Sequence, residues 1–269
     1  MQIRLRTPML PQFIFYFLTL FFTPVFAQNM LDMVDLDTPN MAESEMTRVE
    51  LLKILDSATS DPVDLSDRRL SGLDLSGVDF KSADLRWTRL NNTNLKGANL
   101  SGVNLDLGWL IGANLEGADL TGARLFSTQI QRANLKNAIL DNARIAANMS
   151  DSDLSGASFR GANMSADMKN QSMGLMGAVL KSVNAEGAVF DDANMSHANA
   201  EFARFSGSQF NNTNLSNAKL GGADFTGASV EGLNITEADI DSTKFRQLIS
   251  KDGIIGMDQT LNTSKAITD

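Results

Sequence analysis

Cysteine is absent from the 269 residues, and histidine and tyrosine occur once each, as His197 and Tyr16. Without thiols there is no disulfide framework, zinc finger, iron–sulfur centre or cysteine nucleophile. Catalysis built on an imidazole base has one residue to draw on. Basic side chains are a minority, 23 against 32 acidic, and the resulting charge of −9 speaks against a basic groove for nucleic acid. No phosphate-binding glycine loop, HExxH or GxSxG is present either. A hydrophobic content of 43% is nevertheless that of a folded protein. Its stability has to come from packing and backbone hydrogen bonds alone.

Residues 1–27, MQIRLRTPMLPQFIFYFLTLFFTPVFA, carry Arg4 and Arg6 ahead of an apolar run from Phe13 to Phe22 and end in Val25-Phe26-Ala27. This is the layout of a signal peptide cleaved after Ala27, with an uncleaved membrane anchor as the competing reading. The run is short for a span of about 20 residues and no cysteine follows to take a lipid. The expected location is therefore the periplasm or outside the cell. No acid precedes residue 28, so losing two arginines makes the mature chain more acidic still.

Large apolar residues recur at every fifth position: Leu65, Leu70, Leu75, Phe80, Leu85, Leu90, Leu95, Leu100 and onward to Ile145. The phase then slips back by one residue to Met149, Leu154, Phe159 and Met164, and returns from Leu175 and Leu180 through Phe245. A small residue sits two before most centres, as at Ala83, Ala98 and Ala113, with Asp or Asn commonly between. A period of five matches neither the 3.6 of a helix nor the 2 of a strand, so the chain has to turn at every repeat. If each pentapeptide forms one side of a square, the centre and the small residue point inward and four repeats close a coil. Glycines two after a centre, such as Gly72, Gly77, Gly97 and Gly102, suit the corners. The count of centres predicts an all-β parallel solenoid of about nine coils, stacked at ~4.8 Å into a rod on the order of 40 Å long.

These residues resemble the pentapeptide-repeat family, over residues 63 to about 246. The resemblance implies a right-handed quadrilateral β-helix and implies little about activity, because members of one fold differ in function. Gyrase-protecting members are understood as acidic mimics of DNA. The export signal sets that reading third here, and no nucleic-acid partner is expected.

Both ends of a solenoid expose strand edges and need covers. Residues 43–60 read as a capping helix, with Thr47 and Glu50 spaced as a capping box. Residues 28–42 read as a flexible segment and 61–247 as the solenoid. Residues 248–269 read as a C-terminal cap and tail, in which Leu248, Ile249, Ile254, Ile255 and Met257 close the end and 258–269 fray.

Departures from the repeat are where function would be written. Trp87, Leu107, Trp109, Ile111 and Phe126 fall at outward positions that are usually polar, with Arg86 and Arg89 bordering them. A Trp/Arg surface of this kind is the make-up of an interaction hot spot. The occupant is another protein, or a tail or second copy of this chain, the latter a homodimer. A second departure is the methionine-rich stretch with Met164, Met168, Met173 and Met176, thioethers that suit Cu(I) but equally fill irregular gaps. No other cofactor is expected. His197 reads as a surface residue at a corner. The leading expectation is a non-catalytic, exported binding or scaffolding module; the alternative is a periplasmic soft-metal protein.

Overall fold

The computed structural model describes residues 34–58, 62–80, 83–166 and 177–269. The chain divides into two units, Met1–Asp35 and Leu36–Asp269, and the architecture below is that of the second.

Each pentapeptide makes one side of a four-sided coil. Its Asp or Asn pairs in parallel with the residue 20 positions on, as Asp64 with Asp84 and Asn94 with Asn114. The next residue, the centre, donates its N–H to the coil above: Leu65 to the Asp84 carbonyl at 2.9 Å, while Asp84 N–H returns to Val63 O at 2.8 Å. The Asx side chain then shapes the corner by accepting the N–H two residues on, Ser66 to Asp64 Oδ1 at 2.9 Å and Asp106 to Asn104 Oδ1 at 3.0 Å. One residue further the backbone turns left-handed, at Gly77 with φ 65° and Gly117 with φ 64°. That is the physical content of the A-(D/N)-L-x-x unit.

Four columns of centres meet inside the rod, and each face is named here by its first centre: Leu65, Leu70, Leu75 and Phe80. All four are fully buried. The later coils swap leucine for phenylalanine. Phe159, Phe190 and Phe210 stack with centroids 4.9 Å apart at each step on the Phe80 face, and Phe205, Phe225 and Phe245 follow on the Leu75 face at 5.0 and 5.3 Å. Where the small inward residue is Thr rather than Ala, its hydroxyl donates to the carbonyl of a core centre, in Thr88 to Leu85 of the same turn at 2.6 Å and elsewhere to the coil below. Thr93, Thr128 and Thr243 donate to Leu70, Leu105 and Leu220 carbonyls at 2.9, 2.9 and 2.8 Å.

The slip in phase is a deletion inside a corner. Strand β1 (Arg124–Gln129) pairs in parallel with β2 (Arg144–Asn148), with Phe126 opposite Ala146 and Gln129 opposite Asn148. Ser127 and Thr128 therefore face one residue, Ala147, and the next bridges advance by 19, as Asn134 to Asp153. The return in phase is an insertion: Asn148 pairs with Val179, 31 positions on. Register on all four faces survives both changes.

At the N-terminal end, helix α1 (Pro39–Ala42) precedes α2 (Arg48–Ser57). Both halves of the Thr47/Glu50 capping box are formed. Leu51 and Leu55 are buried against the first coil. The helix is shorter than the expected 43–60. Its approach is extended, with Glu45 N–H bonded to Arg69 O at 2.9 Å and Arg48 to the Asp74 and Ser76 carbonyls at 2.7 and 2.9 Å. The described part of the expected flexible segment is also held: Met41 is buried and its carbonyl accepts from Asn91 Nδ2 at 3.1 Å. Residues 28–33 and the expected signal peptide 1–27 lie outside the described residues, as do 59–61.

The expected C-terminal tail is a coil. Ile249, Ile255 and Leu261 pair with Ser229, Asn234 and Asp239, and β4 (Ile267–Thr268) pairs with β3 (Lys244–Phe245). The steps to the coil below are 20, 21, 22 and 23 residues, because this coil has a period of six. Its centres are replaced by Ser250, Gly256 and Asn262 in left-handed geometry, each followed by a single 3-10 turn. Leu248, Ile254 and Met257 pack partly on the core, whereas Ile249 and Ile255, expected to close the end, point outward and are exposed.

Candidate interaction edge

The register assigns every corner to one of four edges, and the departures from the repeat gather on one of them. Along the edge between the Leu65 and Leu70 faces, the left-handed corner residues of successive coils are Asp67, Trp87, Leu107 and Ser127. Phe126 precedes Ser127 on the same turn. The deletion at Ala147 is the next corner above, and the long step between Asn163 and Val179 falls on the corner after that. His197, with φ 60°, occupies the following one. Adding the slip to the 20-residue step shows this alignment from sequence, but only once both irregularities are known to keep register.

Trp87, Leu107 and Phe126 are exposed at 47, 39 and 43%. Trp87 N–H bonds to Asp106 O at 3.1 Å and Leu107 N–H to Phe126 O at 2.8 Å, so the three lie on adjoining coils. Trp109, on the neighbouring Leu70 face, is half-buried and pairs with Arg89 below and Gln129 above. Ile111 corrects the expectation: it is only 3% exposed. It belongs to a buried column, Ser71, Asn91, Ile111 and Gln131, on the far side of the Leu70 face. The lower part of that column lies beside α1, and Asn91 Oδ1 accepts the Ile111 N–H at 3.0 Å.

Ion pairs brace the edge, beginning at its foot, where Glu45 pairs with Arg68 at 3.2 Å and Arg69 at 3.5 Å. Arg86 chelates Asp84, with Nη2 to Oδ2 at 2.6 Å, and its guanidinium carbon sits 5.4 Å from the Trp87 ring centre. Arg89 reaches Asp67 at 2.8 Å. Arg124 holds Asp106 at 2.6 Å, and the other oxygen of that buried carboxylate accepts the Phe126 N–H at 2.9 Å. Asp106 thereby fixes the backbone beneath the exposed phenylalanine. Composition gave no signal for that anchoring role.

A second aromatic escaped the sequence reading. Phe202 is exposed at 59% with φ 60°, and Lys181 Nζ lies 5.9 Å from its ring. It occupies the other edge of the Leu70 face, and its ring lies over Gly222, where a Cβ would come within 2.6 Å of it.

The methionine cluster does not assemble into a described site. Met164 is a core centre, fully buried, so it packs rather than projecting towards a surface ligand. Met168, Met173 and Met176 lie outside the described residues. Among the described residues no group of three or more His, Asp or Glu is placed to hold a metal ion. No described helix is long and apolar enough to cross a membrane.

With the four-sided coil and its register established, the class of protein is a repeat scaffold, and comparison names its family. Residues 63–97, 98–142, 145–166, 175–212 and 208–247 match the profile of pentapeptide repeats, in eight copies. The chain belongs to the pentapeptide-repeat family, and its fold is the right-handed quadrilateral β-helix. Full-length QnrB1, described as a plasmid-mediated fluoroquinolone resistance protein, superposes with a TM-score of 0.57 at 16% identity, over 72% of this chain and 90% of that one. HetL from the cyanobacterium Nostoc sp. strain PCC 7120, described as involved in heterocyst differentiation regulation, is 24% identical over 83% of this chain and 100% of that one, with a TM-score of 0.43. No curated protein matches the sequence.

Proposed function

We propose that this pentapeptide-repeat protein is a non-catalytic, exported scaffold that holds a protein partner along the edge carrying Trp87, Leu107, Trp109 and Phe126. One observation carries the reading: Trp87 and Leu107 occupy left-handed corners, with φ 58° and 63°, where this chain elsewhere uses Gly, Asn, Asp or Ser most often. Left-handed geometry costs an ordinary side chain roughly 1–2 kcal/mol, and exposing large apolar groups returns nothing to the fold. Strain kept at exposed aromatic and aliphatic positions is the signature of a site retained for contact. Export rests on the leader-like residues 1–27.

The test exploits the opposite signs of the two readings. Trp87→Gly with Leu107→Gly relieves two strained corners, so the melting temperature is expected to hold or rise by about 2–4 °C. Association with the partner is expected to be lost. If the two residues serve only the fold, the same variant melts earlier and association is unchanged.

A further inference from the structure

We infer that the ligand of the Trp87 edge is an acidic polypeptide segment anchored by aromatic or aliphatic side chains. The inference rests on the reading of this edge as a binding surface and adds the chemistry of what binds.

Register places charge along this edge. The first five coils present, from the Leu65 face across the edge to the Leu70 face, the stretches 64–69, 84–89, 104–109, 124–129 and 144–149. These hold six arginines, Arg68, Arg69, Arg86, Arg89, Arg124 and Arg144, against four aspartates, and Glu45 lies at the foot of the strip and pairs with both Arg68 and Arg69. The strip is net positive on a chain whose total is −9. Arginines stand on both sides of the apolar line, Arg86, Arg124 and Arg144 on the Leu65 side and Arg69 and Arg89 on the Leu70 side.

In-chain pairing does not exhaust these groups. The Arg124 and Arg86 side chains remain 55 and 44% exposed while bonded to Asp106 and Asp84. A guanidinium has five N–H donors in a planar fork, so a face stays open to a second carboxylate. The internal aspartates fix where each fork points, and Arg86 is further held over the Trp87 ring. A segment laid along the edge meets a new coil about every 4.8 Å. Its apolar side chains then fall between Trp87, Leu107 and Phe126 while carboxylates reach the flanking forks. A basic segment meets like charge on both flanks, and a second copy docked edge to edge brings the same arginines with it.

The test is selection from a displayed library of random 12-residue peptides on the mature full-length protein. W87G/L107G and Arg86→Gln with Arg144→Gln serve as comparison baits, each first shown by melting to be folded. The expected pool is net negative, carries aromatic or aliphatic residues, and is not enriched on W87G/L107G. A synthetic peptide from it is expected to bind both variants at least tenfold more weakly by fluorescence anisotropy, and to weaken with salt. A neutral or basic pool that still requires Trp87 and Leu107 overturns the acidic ligand and leaves the edge standing. A pool enriched equally on W87G/L107G overturns the edge along with it. Absence of enrichment, or a native dimer that W87G/L107G dissolves, overturns the inference as well.

Discussion

At the position before each core centre, aspartate and asparagine shape the same corner, because either Oδ1 can accept the N–H two residues on. They differ in what acid does to them. Hydrogen bonds from the Ser66 hydroxyl and N–H hold the Asp64 carboxyl below its ordinary value of 3.8. Asp74 is lowered in the same way by Ser76. At Asp153 and Asp224 burial pushes upward, but the Ser155 and Thr226 hydrogen bonds and the nearby Lys136 and Lys244 outweigh it, so both are lowered. A pKa lower in the folded than in the unfolded chain means that the unfolded chain binds more protons between the two values. Stability from these groups is full above the ordinary aspartate range and is lost as pH falls through the lowered values. The protein is expected to lose urea resistance between about pH 5 and pH 2. Asp64→Asn, Asp74→Asn, Asp153→Asn and Asp224→Asn together are expected to flatten that loss while keeping the fold, and urea midpoints at pH 7 and pH 3 check it. An equally steep loss in the fourfold variant assigns the acid sensitivity elsewhere.

Among the elements, the N-terminal helix and the last coil solve the same problem by different means. Helix α2 lays Leu51 and Leu55 over the first coil and starts on a complete capping box. Leu51→Ala is expected to cost about 2–5 kcal/mol and Thr47→Ala about 1 kcal/mol, read from denaturant midpoints. The helix was legible because a capping box and an apolar stripe are local signals. Terminal coil 249–268 was missed because it changes period from five to six, L-I-S-K-D-G, I-I-G-M-D-Q, T-L-N-T-S-K. A search at a single period reads such a segment as tail. In the core, Phe190 stacks on Phe159 and Phe210 and meets Phe205 edge-on at 5.7 Å. Phe190→Ala therefore opens a void along two columns and is expected to cost about 3–5 kcal/mol. A change below about 1 kcal/mol would mean that the column collapses freely around the gap.

On the scale of the whole molecule, each coil is held by the coils above and below it, so stability falls towards a rod's ends. Amide exchange is expected to be slowest in coils between about residues 95 and 145 and fastest in 249–268, which among the described residues has a neighbour on one side only. Uniform protection along the chain would refute a nearest-neighbour rod. The pentad pattern by itself determined that the chain turns at every repeat, which residues form the core and where the left-handed glycine corners fall, because a period of five matches neither helix nor strand. That four repeats close a coil came with the family resemblance. The pattern also picked out Trp87, Leu107 and Phe126 as outward. Tertiary structure alone decided that Ile111 is buried, since its column is enclosed along a corner that borders the distant α1. It alone decided that Asp106 braces Phe126, and that the deletion and the long step from Asn163 to Val179 fall on the same edge as the tryptophan. Those facts depend on which residues meet across coils 20, 19 or 31 positions apart, and such distances exist only once hydrogen-bonded register has been set.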